Sequence, residues 1–201
     1  DINNPSWEDR DRLILSIGHT APVLYASLAE AGFFPKDECM TLRKIGSRLQ
    51  GHPSKDSELP GVETSAGSLG QGLGIAIGMA LSAKIDDKNY RTYCVMGDGE
   101  LQEGSVWEAA MAASNYRLDN LCAIIDRNRL QIDGSTESVM ALEPLDEKWT
   151  SFGWNVVEID GHDHNDIVDA FDVARATKGQ PTLILANTIM GKGVRSIEND
   201  N

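Results

Sequence analysis

An α/β fold, a parallel sheet with helices on both faces, is what this 201-residue sequence predicts, and three observations carry the prediction. From about residue 68 onward, short apolar runs alternate with stretches of helical periodicity, the pattern of successive βαβ units. Two of the runs end in acidic or amide residues, at Gly97-Asp98-Gly99 and at Asp126-Arg127-Asn128, where a parallel sheet presents its strand ends to a ligand crevice. The composition, 41% hydrophobic and 24% charged, suits one sizeable globular core.

The elements follow in order. Residues 1–12 are polar and read as a loop. Val23, Leu24, Leu28 and Ala31 fall at helical spacing and predict a helix over 22–31, stopped by Gly32. Asp37 opens a second helical stretch to about residue 45. Residues 46–68 are rich in Gly, Ser and Pro and read as a long loop, which in a compact domain is usually functional or disordered. A helix follows over 68–85 with Gly70, Gly72, Gly74 and Gly78 along it. Glycine costs a helix intrinsic stability, so close packing against a neighbouring backbone is expected there. Strands are predicted over 92–96, 121–126, 155–160 and 182–186, and helices over 105–115, 144–152 and 166–176.

The net charge of -13 argues against a nucleic-acid or anionic-membrane partner. Such a chain binds phosphates only where backbone N–H groups, a helix N-terminus or a metal supplies a positive field. Cys39, Cys94 and Cys122 match no zinc spacing and read as buried free thiols. No apolar run approaches the roughly 20 residues of a membrane span, and no secretory signal opens the chain, so a cytoplasmic protein is expected. The chain starts without Met and stops at Asn201, and we expect it to be trimmed at both ends or a fragment.

Chemistry concentrates at the two strand ends. Glycines on either side of Asp98 leave its carboxylate accessible and let a ligand approach the backbone. A hard divalent cation takes oxygen ligands, and magnesium is usually held by one or two protein groups plus substrate phosphates. Asn128 lies about 30 positions after Gly97, the length of one βαβ step, and offers a neutral carbonyl oxygen. Leu130, after the bend, offers a backbone carbonyl. A lone Gly-Asp-Gly is an ordinary turn; the second donor set one step away makes it a candidate clamp for a diphosphate.

The stretch Gly97-Asp98-Gly99-Glu100-Leu101-Gln102-Glu103-Gly104, with Trp107-Glu108-Ala109-Ala110, Leu118-Asp119-Asn120-Leu121 and Asp126-Arg127-Asn128-Arg129-Leu130-Gln131-Ile132-Asp133-Gly134, resembles the transketolase family. So do Leu15-Ser16-Ile17-Gly18-His19, Gln50-Gly51-His52-Pro53, and Pro60-Gly61-Val62-Glu63 leading to Gly67-Ser68-Leu69-Gly70-Gln71-Gly72. The resemblance covers nearly the whole chain and implies a thiamine-diphosphate-binding fold, with thiamine diphosphate and Mg2+ as cofactors. By resemblance, Asp98, Asn128 and the Leu130 carbonyl hold magnesium, while Gly97, Gly99 and Asn128 contact the diphosphate. Gly67, Ser68 and Leu69 approach the cofactor, and Leu69 gives it an apolar surface. His19 and His52 meet the diphosphate end or the sugar hydroxyls and can move protons near neutral pH. Glu103 sits at a contact between subunits in a carboxylate network. Without the resemblance, either histidine reads as a solvated loop residue and Glu103 as a charge at a helix N-terminus. His162 and His164, among Asp160, Asp163 and Asp166, read as a strand-to-helix turn with Asp or Asn as N-cap. Trp107, Trp149 and Trp154 read as core or interface residues.

The family's pyrimidine-binding domain, which carries an activating Glu, has no counterpart in this sequence. Met190 stands where many relatives carry Lys, which puts one basic contact in doubt. The resemblance therefore implies either the N-terminal subunit of a split transketolase or a piece of a full-length one. In both cases the implied partner is a C-terminal pyrimidine-binding subunit or domain, the implied substrates are sugar phosphates, and the implied assembly is a dimer of heterodimers. A related enzyme acting on another sugar, or a non-catalytic subunit that keeps the fold, are the alternatives.

Overall fold

The computed structural model describes residues 2–199. Strand β1 (Arg12–Leu15) leads through a 3-10 turn (Gly18–Thr20) into helix α1 (Ala21–Glu30). Two further 3-10 turns, Lys36–Thr41 and Lys55–Ser57, punctuate the long connection to α2 (Gly72–Ile85). The chain continues through β2 (Thr92–Gly97), a 3-10 turn (Gly99–Gln102), α3 (Gly104–Asn115) and β3 (Leu121–Arg127). A small hairpin, β4 (Leu130–Gln131) and β5 (Gly134–Ser135), precedes α4 (Thr136–Val139) and α5 (Leu145–Ser151). Strand β6 (Asn155–Asp160), α6 (His164–Ala176) and β7 (Thr182–Asn187) complete the order.

Five strands form one sheet in the order β1-β2-β3-β7-β6, every neighbouring pair parallel. Parallel strands inside a sheet are buried on both faces, which is why β2, β3 and β7 are mostly apolar, while the edge strand β6 carries Glu158 and Asp160 exposed. Side chains alternate between the faces with period two. Cys94, Met96, Ala123, Ile125, Leu183 and Leu185 pack under α2, α3 and α5, together with Trp149 and Trp154. On the opposite face, Leu15 and Val95 meet α1, while Tyr93, Cys122, Ile124 and Ile184 meet α6. The expected two-sided α/β architecture is the one observed. The register sets Gly97 beside Asp126, and Arg127 beside Asn187, at one end of the sheet. That end carries the site.

The structure departs from the sequence expectation in several places. Strand β1 begins at Arg12, the last residue of the expected loop, and was not expected, because its four residues, Arg12–Leu15, are too few to show a period. The helix expected over 37–45 is a 3-10 turn that ends at Thr41, with Leu42 at ψ 128° and Arg43 at φ 59°. None of its residues is buried, and a short helix without a buried face is marginal. Helix α2 begins at Gly72 rather than Ser68. Gly72 is the close approach expected there: a Cβ on it would stand 2.4 Å from the Ser16 side chain and 2.8 Å from the Ser16 Cα. Gly74 and Gly78 have nothing within 4 Å and do not share that reason.

Candidate active site

Beyond the C-terminal ends of β1, β2 and β3 lies a cavity of about 390 Å3. It brings together His19, Leu69, Gly97, Asp98, Gly99, Asn128 and Leu130, seven of the residues singled out in the sequence. Ile17, Glu100, Asp126, Gln131, Ile132 and Met190 also line it. Gly67 and Ser68 line a separate, smaller recess beside Ser16 and Gly72. His52 lies outside the cavity with an exposed side chain, and its carbonyl accepts the Tyr25 hydroxyl at 3.3 Å. Glu103 is exposed at the start of α3.

Asp98 ends up buried, 1% exposed, although it sits between two glycines in a turn. Its Oδ2 accepts the Arg129 N–H at 2.6 Å and the Arg127 guanidinium at 3.0 Å, and its Oδ1 accepts the Gly99 N–H at 2.7 Å. Burial pushes its carboxyl above the ordinary value, and these donors pull against burial without cancelling it. Asn128 donates to Asp126 Oδ2 at 3.1 Å and accepts the Leu130 N–H on Oδ1 at 2.8 Å. The Asp126 carboxylate thus fixes which way the amide points: nitrogen to Asp126, oxygen to the bend. Thr188, after β7, donates to the other oxygen of Asp126.

Glu100 is the residue that sequence reasoning missed most clearly. It is 2% exposed and accepts from the Ser16 hydroxyl, from the Gly70 N–H at 2.8 Å and from the Gly97 N–H at 3.2 Å. One carboxylate therefore ties together the end of β1, the approach to α2 and the end of β2. Burial raises its carboxyl, opposed by those three bonds. The Gly97 and Gly99 N–H groups are committed to Glu100 and Asp98. The two glycines also fit tightly: a Cβ on Gly97 would meet Ile17 at 2.8 Å, and one on Gly99 would meet Gln131 at 2.9 Å.

The donor chemistry suits a diphosphate paired with a hard cation. Three lining residues carry carboxylates, and none is Lys or Arg. A diphosphate entering that field meets repulsion unless a divalent cation offsets it. Asp98 Oδ1 and Asn128 Oδ1 each keep a lone pair beyond the single donor named above, and Leu130 lies beside them. The residues fit a cation bound between protein oxygens and a phosphate group. Among the described residues no cluster of three or more His, Cys, Asp or Glu side chains is arranged to hold a metal alone. The 160–166 segment runs from the end of β6 through a turn into α6. There Asp163 caps α6, accepting the Asn165 and Asp166 N–H groups.

The whole sequence, residues 1–201, matches the family described as "Transketolase, thiamine diphosphate binding domain". The chain belongs to this family. Among relatives of this transketolase domain is an apulose-4-phosphate transketolase subunit from Phocaeicola vulgatus, 47% identical over 98% of this chain and 69% of the relative. Another is the 6-deoxy-6-sulfo-D-fructose transketolase subunit SqwG of a Clostridium species, 48% identical over 96% of this chain and 70% of that protein. Among solved structures, transketolase from Campylobacter jejuni superposes with a TM-score of 0.93 at 34% identity, over 98% of this chain but 32% of that one. The chain thus spans about a third of the solved transketolase. Among the described residues no helix is long and apolar enough to cross a membrane.

Proposed function

We propose that this transketolase domain anchors thiamine diphosphate through one magnesium ion, in an assembly that moves a two-carbon ketol unit from a ketose phosphate to an aldose phosphate. The observation that carries the proposal is the convergence of Asp98, Asn128 and Leu130 on one cavity, with His19 among its lining residues. Asp98, Asn128 and the Leu130 carbonyl hold the cation, and the cation offsets the surrounding carboxylates so that a diphosphate can bind. When bound, the cofactor supplies the electron sink for carbon–carbon bond cleavage and formation. Ile17, Leu69 and Leu130 give the cavity apolar surface. His19 takes or gives a proton at a sugar hydroxyl. His52 meets the sugar farther from the diphosphate, and Glu103 lies at a contact between subunits. Gly67 and Ser68 carry the chain to Leu69 at the cofactor.

The domain acts with a C-terminal pyrimidine-binding partner, as a dimer of heterodimers in the cytoplasm. Two relatives of similar coverage are named as transketolase subunits, and the full-length structure is about three times longer, which supports a divided site. Those relatives are also named for apulose 4-phosphate and 6-deoxy-6-sulfo-D-fructose, which favours a second reading in which the ketose is not a common pentose phosphate. The test is ketol transfer from xylulose 5-phosphate to ribose 5-phosphate, with thiamine diphosphate and magnesium, by the chain alone and by the complex it captures from its host. Activity confined to the complex is expected. Transfer in the complex from another ketose alone would select the second reading, and a complex inactive with every ketose would overturn both.

A further inference from the structure

Arg127, the last residue of β3, is 1% exposed and does more than neutralise its neighbours. Its terminal nitrogens carry four N–H hydrogens, and four acceptors surround them. Nη1 donates to Asp98 Oδ2 at 3.0 Å and to Thr136 Oγ1 at 2.8 Å. Nη2 donates to Glu137 Oε1 at 3.0 Å and to Glu143 Oε1 at 2.6 Å. Three of those partners belong to the segment 136–143, which is closed on itself: Glu137 accepts the Leu142 N–H at 3.1 Å and the Glu143 N–H at 3.4 Å. The tip of the segment carries Val139 and Met140, the latter 61% exposed, and Gln102 donates to the Met140 carbonyl at 2.9 Å.

We propose that Arg127 is a positioning residue for the cation site and couples it to the 136–143 segment. The proposal rests on the cation reading given above. Oδ2 of Asp98 is occupied by Arg127 and the Arg129 N–H, so the carboxylate is held in one rotation, and Oδ1, which accepts only the Gly99 N–H, keeps a lone pair for the cation. The same guanidinium holds Thr136, Glu137 and Glu143, so a displacement of that segment reaches Asp98 through one rigid planar group. Lysine replaces it only in part, because a point charge with three donors on a flexible stem lacks the fork that spans both sides. Truncating one side of a buried charge pair also leaves the other charge unpaired, so the effect on Asp98 is larger than the loss of one hydrogen bond.

The test uses manganese as a paramagnetic probe, titrated in the presence of thiamine diphosphate into the full chain in the assembly in which it purifies. Arg127→Met is expected to weaken manganese binding at least about tenfold, in the range seen for groups that orient metal ligands, with Arg127→Lys recovering part of the loss. Glu143→Gln alters the coupled segment at a half-exposed side chain, without touching Asp98, and is expected to weaken binding by a smaller factor, about twofold or more. If Arg127→Met does not fold, Glu143→Gln and Thr136→Val decide. Variants that melt at lower temperature but bind manganese as tightly as wild type would overturn the proposal, since that is the signature of a staple and nothing more. A wild-type protein without cofactor-dependent manganese binding would instead overturn the cation reading beneath it, and the coupling with it.

Discussion

At the scale of single residues, two opposing effects meet on Asp98. Burial disfavours its charge, while Arg127 and two backbone N–H groups favour it, and burial prevails. A carboxyl whose pKa is raised by folding contributes stability that is present below its unfolded value and lost as pH rises through the folded one. Metal-free wild type therefore carries a penalty near neutral pH that Asp98→Asn does not. We expect Asp98→Asn to gain thermal stability relative to wild type as pH rises from about 4 to about 7, whatever the absolute offset between them. A relative change of the opposite sign, read from melting curves, would show that Arg127 outweighs burial. The residues of this site differ in how far sequence alone reveals them. That Asp98 and Asn128 meet at one cavity was legible because their spacing matches one βαβ step. Glu100 and Arg127 were not, because their roles depend on partners brought in by folding: Ser16 and Gly70 for the first, and the 136–143 segment for the second.

At the scale of elements, the inner strands β2, β3 and β7 were legible because a parallel strand buried between two helical layers is mostly apolar, and the edge strand β6 because Val156, Val157 and Ile159 still mark it. Helices α3, α5 and α6 followed from periodicity. Strand β1 and the β4–β5 hairpin were too short to show one, and the turn at Lys36–Thr41 imitated a helix without a face to bury. Helix α2 gives the sharpest element-scale prediction, because its glycines share a sequence appearance but not an environment. Gly72→Ala places a methyl against the Ser16 side chain and backbone, so it should destabilise the fold and shift the loop that Ser16 and Glu100 hold. Gly74→Ala and Gly78→Ala enter open space on an exposed helix face and should each stabilise by about 0.5–1 kcal/mol in urea unfolding. Equal effects at all three positions would contradict this packing.

At the scale of the molecule, the strand order matters because it gathers loops from β1, β2, β3 and β7 at one end of the sheet. Each loop brings a different chemistry to the cavity: His19 after β1, Asp98 after β2, Asn128 and Leu130 after β3, and Met190 after β7. Asp98, Glu100 and Asp126 line the cavity while Arg127, paired with Asp98, stands outside its lining, and a divalent cation is the counter-charge proposed for a diphosphate there. The most direct measurement is a calorimetric titration of the assembled protein with thiamine diphosphate, with and without magnesium, for wild type and Asp98→Ala. Binding that needs magnesium in wild type and is lost in Asp98→Ala is the predicted result. Magnesium-independent binding, or undiminished affinity in Asp98→Ala, would contradict the assignment of this strand-end cavity as the cofactor site.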